Sequence, residues 1–214
     1  MNPRVKSSSH RPLGKMLISA LLGAIAGFFG VTLLFRWTAA PTVGGSAMIL
    51  SGVGVAYLAM ALFVGIGTLM PRTGSKVLNV EDSDELVEDR QSLLGSSLAN
   101  GVLGVMMIVL ANSGTGGAVP ASVAVGTVIA ALAVSGFLIV RTWKYQDELM
   151  RQVSLEAASI AGAMVIAILL VWGAFSMNGI GPAIEAKSMI ALVMGMTLLG
   201  AFVATGARGM LTPR

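Results

Sequence analysis

The chain has 214 residues, 55% of them hydrophobic and 11% charged, against roughly 45–50% and about 25% in an ordinary soluble domain. That balance excludes a typical globular protein and points to an all-α integral membrane protein. Cysteine is absent, which removes disulfides, thiolate metal sites and a cysteine nucleophile. The formal charge of +4 rests on bases at the ends of apolar segments with no interleaved aromatics, so no nucleic-acid partner is expected.

Six apolar segments approach the roughly 20 residues that a helix needs to cross a hydrocarbon core of about 30 Å. A basic tail, residues 1–15, precedes the first, Met16–Phe35. That segment is longer than the roughly 7–15 residues of a signal-peptide core and no small-x-small cleavage site follows it, so a retained first span is expected. With the second span, Ala47–Met70, it makes a first hairpin over 16–70. An acidic linker, 71–92, leads to Leu93–Ala111 and Ala118–Val140, a second hairpin over 93–140. A charged, amphipathic linker over 141–156 leads to Ala157–Met177 and Ser188–Ala207, the third hairpin, which ends in a short tail at 214.

Lys and Arg in short loops resist translocation and mark the cytoplasmic side. They gather in the first tail (Arg4, Lys6, Arg11, Lys15), after span two (Arg72, Lys76, Arg90), after span four (Arg141, Lys144, Arg151) and in the last tail (Arg208, Arg214). The opposite connections carry Arg36 and Lys187 alone. Both termini are therefore expected in the cytoplasm. Trp37, Trp143 and Trp172 fall near predicted span ends, where an indole favours the headgroup level.

Two linker segments echo each other. SDELVEDRQSLLGSSLANG, 83–101, runs into span three much as QDELMRQVSLEAASIAG, 146–162, runs into span five. A duplicated two-helix unit and chance similarity of two acidic helices both remain open. In the second segment Asp147 and Glu148 precede Arg151 by four and three residues, a spacing that places them on one helix face where they can pair. Tyr145, Leu149 and Val153 recur every four residues as an apolar stripe. Asp84, Glu85, Glu88, Asp89, Asp147, Glu148 and Arg151 are the candidate partner-contact residues. A solvated charged face is the plainer alternative to a docking surface.

The stretch DELMRQVSLEAASIAGAMVIAILLVWGAF resembles a largely uncharacterised family of small proteobacterial inner-membrane proteins that carry a DELxRQxxLEA-like juxtamembrane motif. The resemblance covers about 145–208. It implies a bacterial inner-membrane location and a helical hairpin, and no reaction.

Within the spans, ionisable residues are functional candidates by default, and they are scarce here. Glu156, at the inner edge of span five, either binds a proton or cation or faces the headgroups and pairs with a base such as Arg151. Asn100 in span three and Tyr57 in span two are expected to join helices by hydrogen bonds, with a substrate contact as the alternative. Gly23 and Gly27 make a small-x-x-x-small face for close helix packing. The methionines are expected to fill gaps between helices. No HExxH, Walker loop or GxSxG occurs, so the chain is not expected to be an enzyme, and no cofactor or metal is expected. The expected role is a non-catalytic scaffold or accessory subunit that lies among membrane lipid and contacts a protein partner or a second copy. A small transporter or channel for a neutral or apolar solute is the rival.

Overall fold

The computed structural model describes residues 44–70, 87, 89–114 and 117–208. They contain five helices: α1 (Gly45–Leu69), α2 (Arg90–Ala111), α3 (Ala121–Trp143), α4 (Glu148–Met177) and α5 (Ala186–Ala207). Each is long and apolar enough to cross a membrane, and together they make an all-helical, multi-pass arrangement. The expected first span, Met16–Phe35, with Gly23 and Gly27, lies outside the described residues, as do Asp84, Glu85 and Glu88.

Local chemistry explains where the helix ends depart from expectation. α3 starts at Ala121 because a residue before proline is driven towards extended backbone. Val119, ahead of Pro120, instead donates its N–H to Asn112 O at 3.0 Å. α4 starts at Glu148, well before the expected Ala157. Asp147 caps it, its carboxylate accepting from Met150 N at 2.7 Å, and Glu148 in the first turn complements the positive helix end. No Pro or Gly interrupts the stretch before Ala157, so the charged run and the apolar span form one helix of 30 residues. The linker expected over 141–156 contracts to Lys144–Asp147.

The most extensive packing joins α1 to α2, across the division between the first two expected hairpins. α2 also packs on α3, α5 packs on α4, and α1 rests against α5. α1 and α2 run antiparallel and almost touch backbone to backbone at Gly54 and Gly104. A Cβ on Gly104 would lie 2.8 Å from Gly54 O and 3.0 Å from Leu58 N, and a Cβ on Gly54 would lie 2.9 Å from Gly104 O. Only hydrogen fits at such separations. Beside this crossing, Leu50, Tyr57, Met106, Met107, Ala131 and Ala191 form the buried core. At the next contact Ser97 Oγ donates to Ala61 O at 2.7 Å, and Ser135 Oγ of α3 donates to Ala99 O at 3.3 Å.

Although only Lys144–Asp147 separate them, α3 packs on α2 and α4 on α5 rather than extensively on each other. α4 buries just Val153 and Ala161 fully. Ile129, Phe137 and Val140 on α3, and Ile166, Leu170 and Phe175 on α4, are exposed. Apolar side chains so placed cost nothing in hydrocarbon, which is as apolar as they are.

Gly104→Val is expected to destabilise the folded chain by about 1–3 kcal/mol, as overpacking does, whereas Gly126→Ala, with nothing within 4 Å of its added Cβ, is expected to leave it unchanged. Thermal unfolding in detergent, followed by circular dichroism, checks both.

Candidate functional site

The antiparallel contacts bring the charged residues to one end. Thr142 lies against Gly95, and Glu156 on α4 meets Arg208 just beyond α5, so Arg90, Arg141, Lys144, Arg151 and Arg208 share the same end of the bundle. Among the described bases only Lys187 stands at the opposite end.

The sequence spacing allows Asp147 and Glu148 to pair with Arg151, but each group has another use or none. Asp147 is occupied as the α4 cap, and Glu148 is exposed without an ion pair among the described residues. Arg151 turns back over the connection. Its Nη2 donates to Trp143 O at 3.1 Å, and its guanidinium lies 5.9 Å from the Trp143 ring centroid, within cation–π range. The side chain thereby closes the turn between α3 and α4, and Trp143 acquires a contact that span-end statistics do not reveal. Asp89 stands one residue before α2 at this same end.

Glu156 pairs with Arg208, not with Arg151. Arg208 donates from Nε to Glu156 Oε2 at 2.9 Å and from Nη2 to Oε1 at 2.5 Å. This two-pronged contact ties the start of α4 to the end of α5. The hydrogen bond to Glu156 is the main cause that raises Arg208 above the ordinary guanidinium range, with the carboxylate charge adding to it and burial opposing both.

Deeper polar groups also hold helices together. Tyr57 donates its hydroxyl to Met194 O at 3.1 Å, linking α1 to α5. Asn100 is half-buried and makes no side-chain hydrogen bond among the described residues. The cross-helix bonds at its depth come from Ser97 and Ser135 instead. Their value as donors depends on which carbonyl the neighbouring helix presents, and nothing in a linear pattern gives that. At the opposite end Lys187 Nζ donates to Ala111 O at 2.9 Å and Ser113 O at 2.7 Å. An ammonium there satisfies carbonyls that the end of α2 leaves open and suits its negative pole. Trp172 Nε1 donates to Pro182 O at 2.9 Å and fastens the connection between α4 and α5.

A groove of about 670 Å³ opens along α2 between α1 and α3. Leu58 and Leu62 flank it on one side and Val134 on the other, with Leu98, Gly101 and Val105 as its floor. Neither Asn100 nor Glu156 lines it. Among the described residues, no three His, Cys, Asp or Glu side chains converge as metal ligands. Compared with models of known families, with curated proteins and with solved structures, the chain matches none.

Lys187→Met is expected to lower stability by about 1–3 kcal/mol by stranding two carbonyls. Tyr57→Phe, which removes one intramembrane hydrogen bond, is expected to lower it by only about 0.6 kcal/mol. Denaturant titration in mixed micelles ranks the two, and equal effects would show that Lys187 does not brace α2.

Proposed function

We propose that this chain is a non-catalytic membrane scaffold or accessory subunit, threaded six times through a bacterial inner membrane with both ends in the cytoplasm. The carrying observation is the separation of α3 from α4. Two consecutive apolar helices that share no extensive packing among the described residues each offer a broad exposed face, which suits the binding of other membrane helices. The groups best fitted to chemistry are engaged in holding the fold: Glu156 with Arg208, Tyr57 with Met194, and Lys187 with the end of α2. The bacterial inner-membrane location is part of this proposal and rests on the juxtamembrane motif within 145–208 alone. The proposed orientation is supported by the bases gathered at one end, while the lone described base at the other is spent on carbonyls.

Asn100 favours a second reading. A half-buried amide with no hydrogen-bond partner among the described residues is the kind of group that lines the path of a neutral solute through a small transporter.

Two measurements separate these readings. Because the chain has no cysteine, single Asn112→Cys and Lys144→Cys variants report orientation directly. A membrane-impermeant maleimide added to intact cells is expected to label the first and spare the second; the reverse pattern would overturn the assigned topology. For the role, mild extraction of the tagged protein is expected to bring down a stoichiometric companion. Phe137→Ala with Leu170→Ala on the exposed faces of α3 and α4 should release that companion, and neutralising Asp84, Glu85, Glu88, Asp89, Asp147 and Glu148 to their amides should weaken its hold, while Asp147→Asn preserves a capping side chain. A protein that purifies without companions, and whose solute uptake is abolished by Asn100→Leu, would establish the transporter instead.

A further inference from the structure

The groove on α2 has a shape and a chemistry that select an occupant. Its floor runs from Leu94 to Val105, about 16 Å at the rise of an α-helix. That is about half of a hydrocarbon core of roughly 30 Å. A transmembrane helix from a partner would require a seat along the full depth, whereas an acyl chain reaches through one leaflet only.

The groove lining offers an occupant no spare hydrogen bond from its hydroxyls. Ser97 is bonded to Ala61 O at 2.7 Å, and Thr127 to Val123 O at 2.8 Å. The remaining wall is hydrocarbon and glycine. A polar solute would lose its hydration there and find no hydroxyl donor in return.

Charge appears only past one end. Arg90 lies one helical turn before Leu94 on the same stripe of α2, and Arg141 lies two turns beyond Val134 on the matching stripe of α3. The contact of Thr142 with Gly95 sets these two helix ends side by side. Both arginines are exposed, and neither forms an ion pair or hydrogen bond among the described residues. Guanidinium groups match phosphate geometry and carry a fixed charge at membrane pH.

From this juxtaposition we infer that the groove between α1, α2 and α3 is a binding site for an anionic phospholipid, one acyl chain lying over Leu98, Gly101 and Val105 and the phosphate held by Arg90 and Arg141. The half-depth groove fixes the leaflet, and the paired arginines select the headgroup. An apolar cleft alone would accept any lipid; the two arginines, which form no ion pair among the described residues, confer preference.

The test uses the full-length protein in detergent, analysed by native mass spectrometry after mixing with phosphatidylglycerol or phosphatidylcholine. The wild type is expected to retain one phosphatidylglycerol at a collision energy that strips phosphatidylcholine. A basic residue near a membrane surface contributes about fivefold in affinity for anionic lipid, so Arg90→Gln with Arg141→Gln is expected to weaken retention roughly 25-fold. Leu98→Trp, which fills the floor and leaves both arginines, is expected to abolish retention of either lipid while the circular dichroism spectrum is unchanged. A photoreactive phenylalanine analogue at Val134 is expected to yield an adduct of phospholipid mass. Equal retention of the two lipids, undiminished retention by the double arginine variant, or adducts formed only with protein, from a second copy or the same chain, would each overturn the site. Should the double variant fail to fold, Arg141→Gln alone, with an expected fivefold loss, decides the matter.

Discussion

Gly54 and Gly104 allow the α1 and α2 backbones to meet where any side chain would separate them, and much of the described bundle is arranged around that crossing. Close approach brings the helices within dispersion range along their length, the main attraction available where lipid removes the hydrophobic drive between helices. It also brings Ser97 to Ala61 O and leaves Tyr57 directed at Met194 on α5. α1 thus touches α2 and α5, the two helices on which α3 and α4 in turn rest. Losing the crossing would loosen both halves together.

Charge is handled differently at the two ends. At one, Arg151 folds over Trp143 to close a short turn, and Arg208 grips Glu156. At the other, Lys187 serves as a brace for the end of α2. Each is a cation put to structural use at a helix terminus, where unsatisfied carbonyls or a carboxylate await it. Arg90 and Arg141 have no such employment among the described residues, which is why they stand out as a pair able to receive an anion. The same principle, that a charge near lipid requires a partner, explains both the braces and the exception.

A lipid seated between α1, α2 and α3 would be compatible with a scaffold as much as with a transporter. In a scaffold it would fill the groove on one flank of α3 while the opposite side of the α3–α4 pair remains available to a companion. The exposed faces of α3 and α4 offer a different surface, rich in apolar side chains. They present Val, Ile, Leu and Phe, suited to another helix or to bulk acyl chains.

The sequence by itself determined that the chain is helical and membrane-spanning, because length and hydropathy decide those properties one segment at a time. It also located the five described spans to within a few residues at most ends, and it singled out Tyr57, Glu156 and Arg151. It could not choose their partners. Glu156 met Arg208 rather than Arg151, and Arg151 met Trp143, because those choices depend on which helix ends are neighbours. The early start of α4 was half visible in Asp147 and Glu148, a cap and a first-turn acid, yet a charged run invited a linker reading. Lys187, Ser97 and Ser135 carry no local signal at all: each is one polar residue whose acceptor is a carbonyl on another helix. Only the tertiary structure decided those contacts, together with the order of helix packing and the half-depth groove, since helix neighbours in lipid are chosen by surface fit along the whole length of each face.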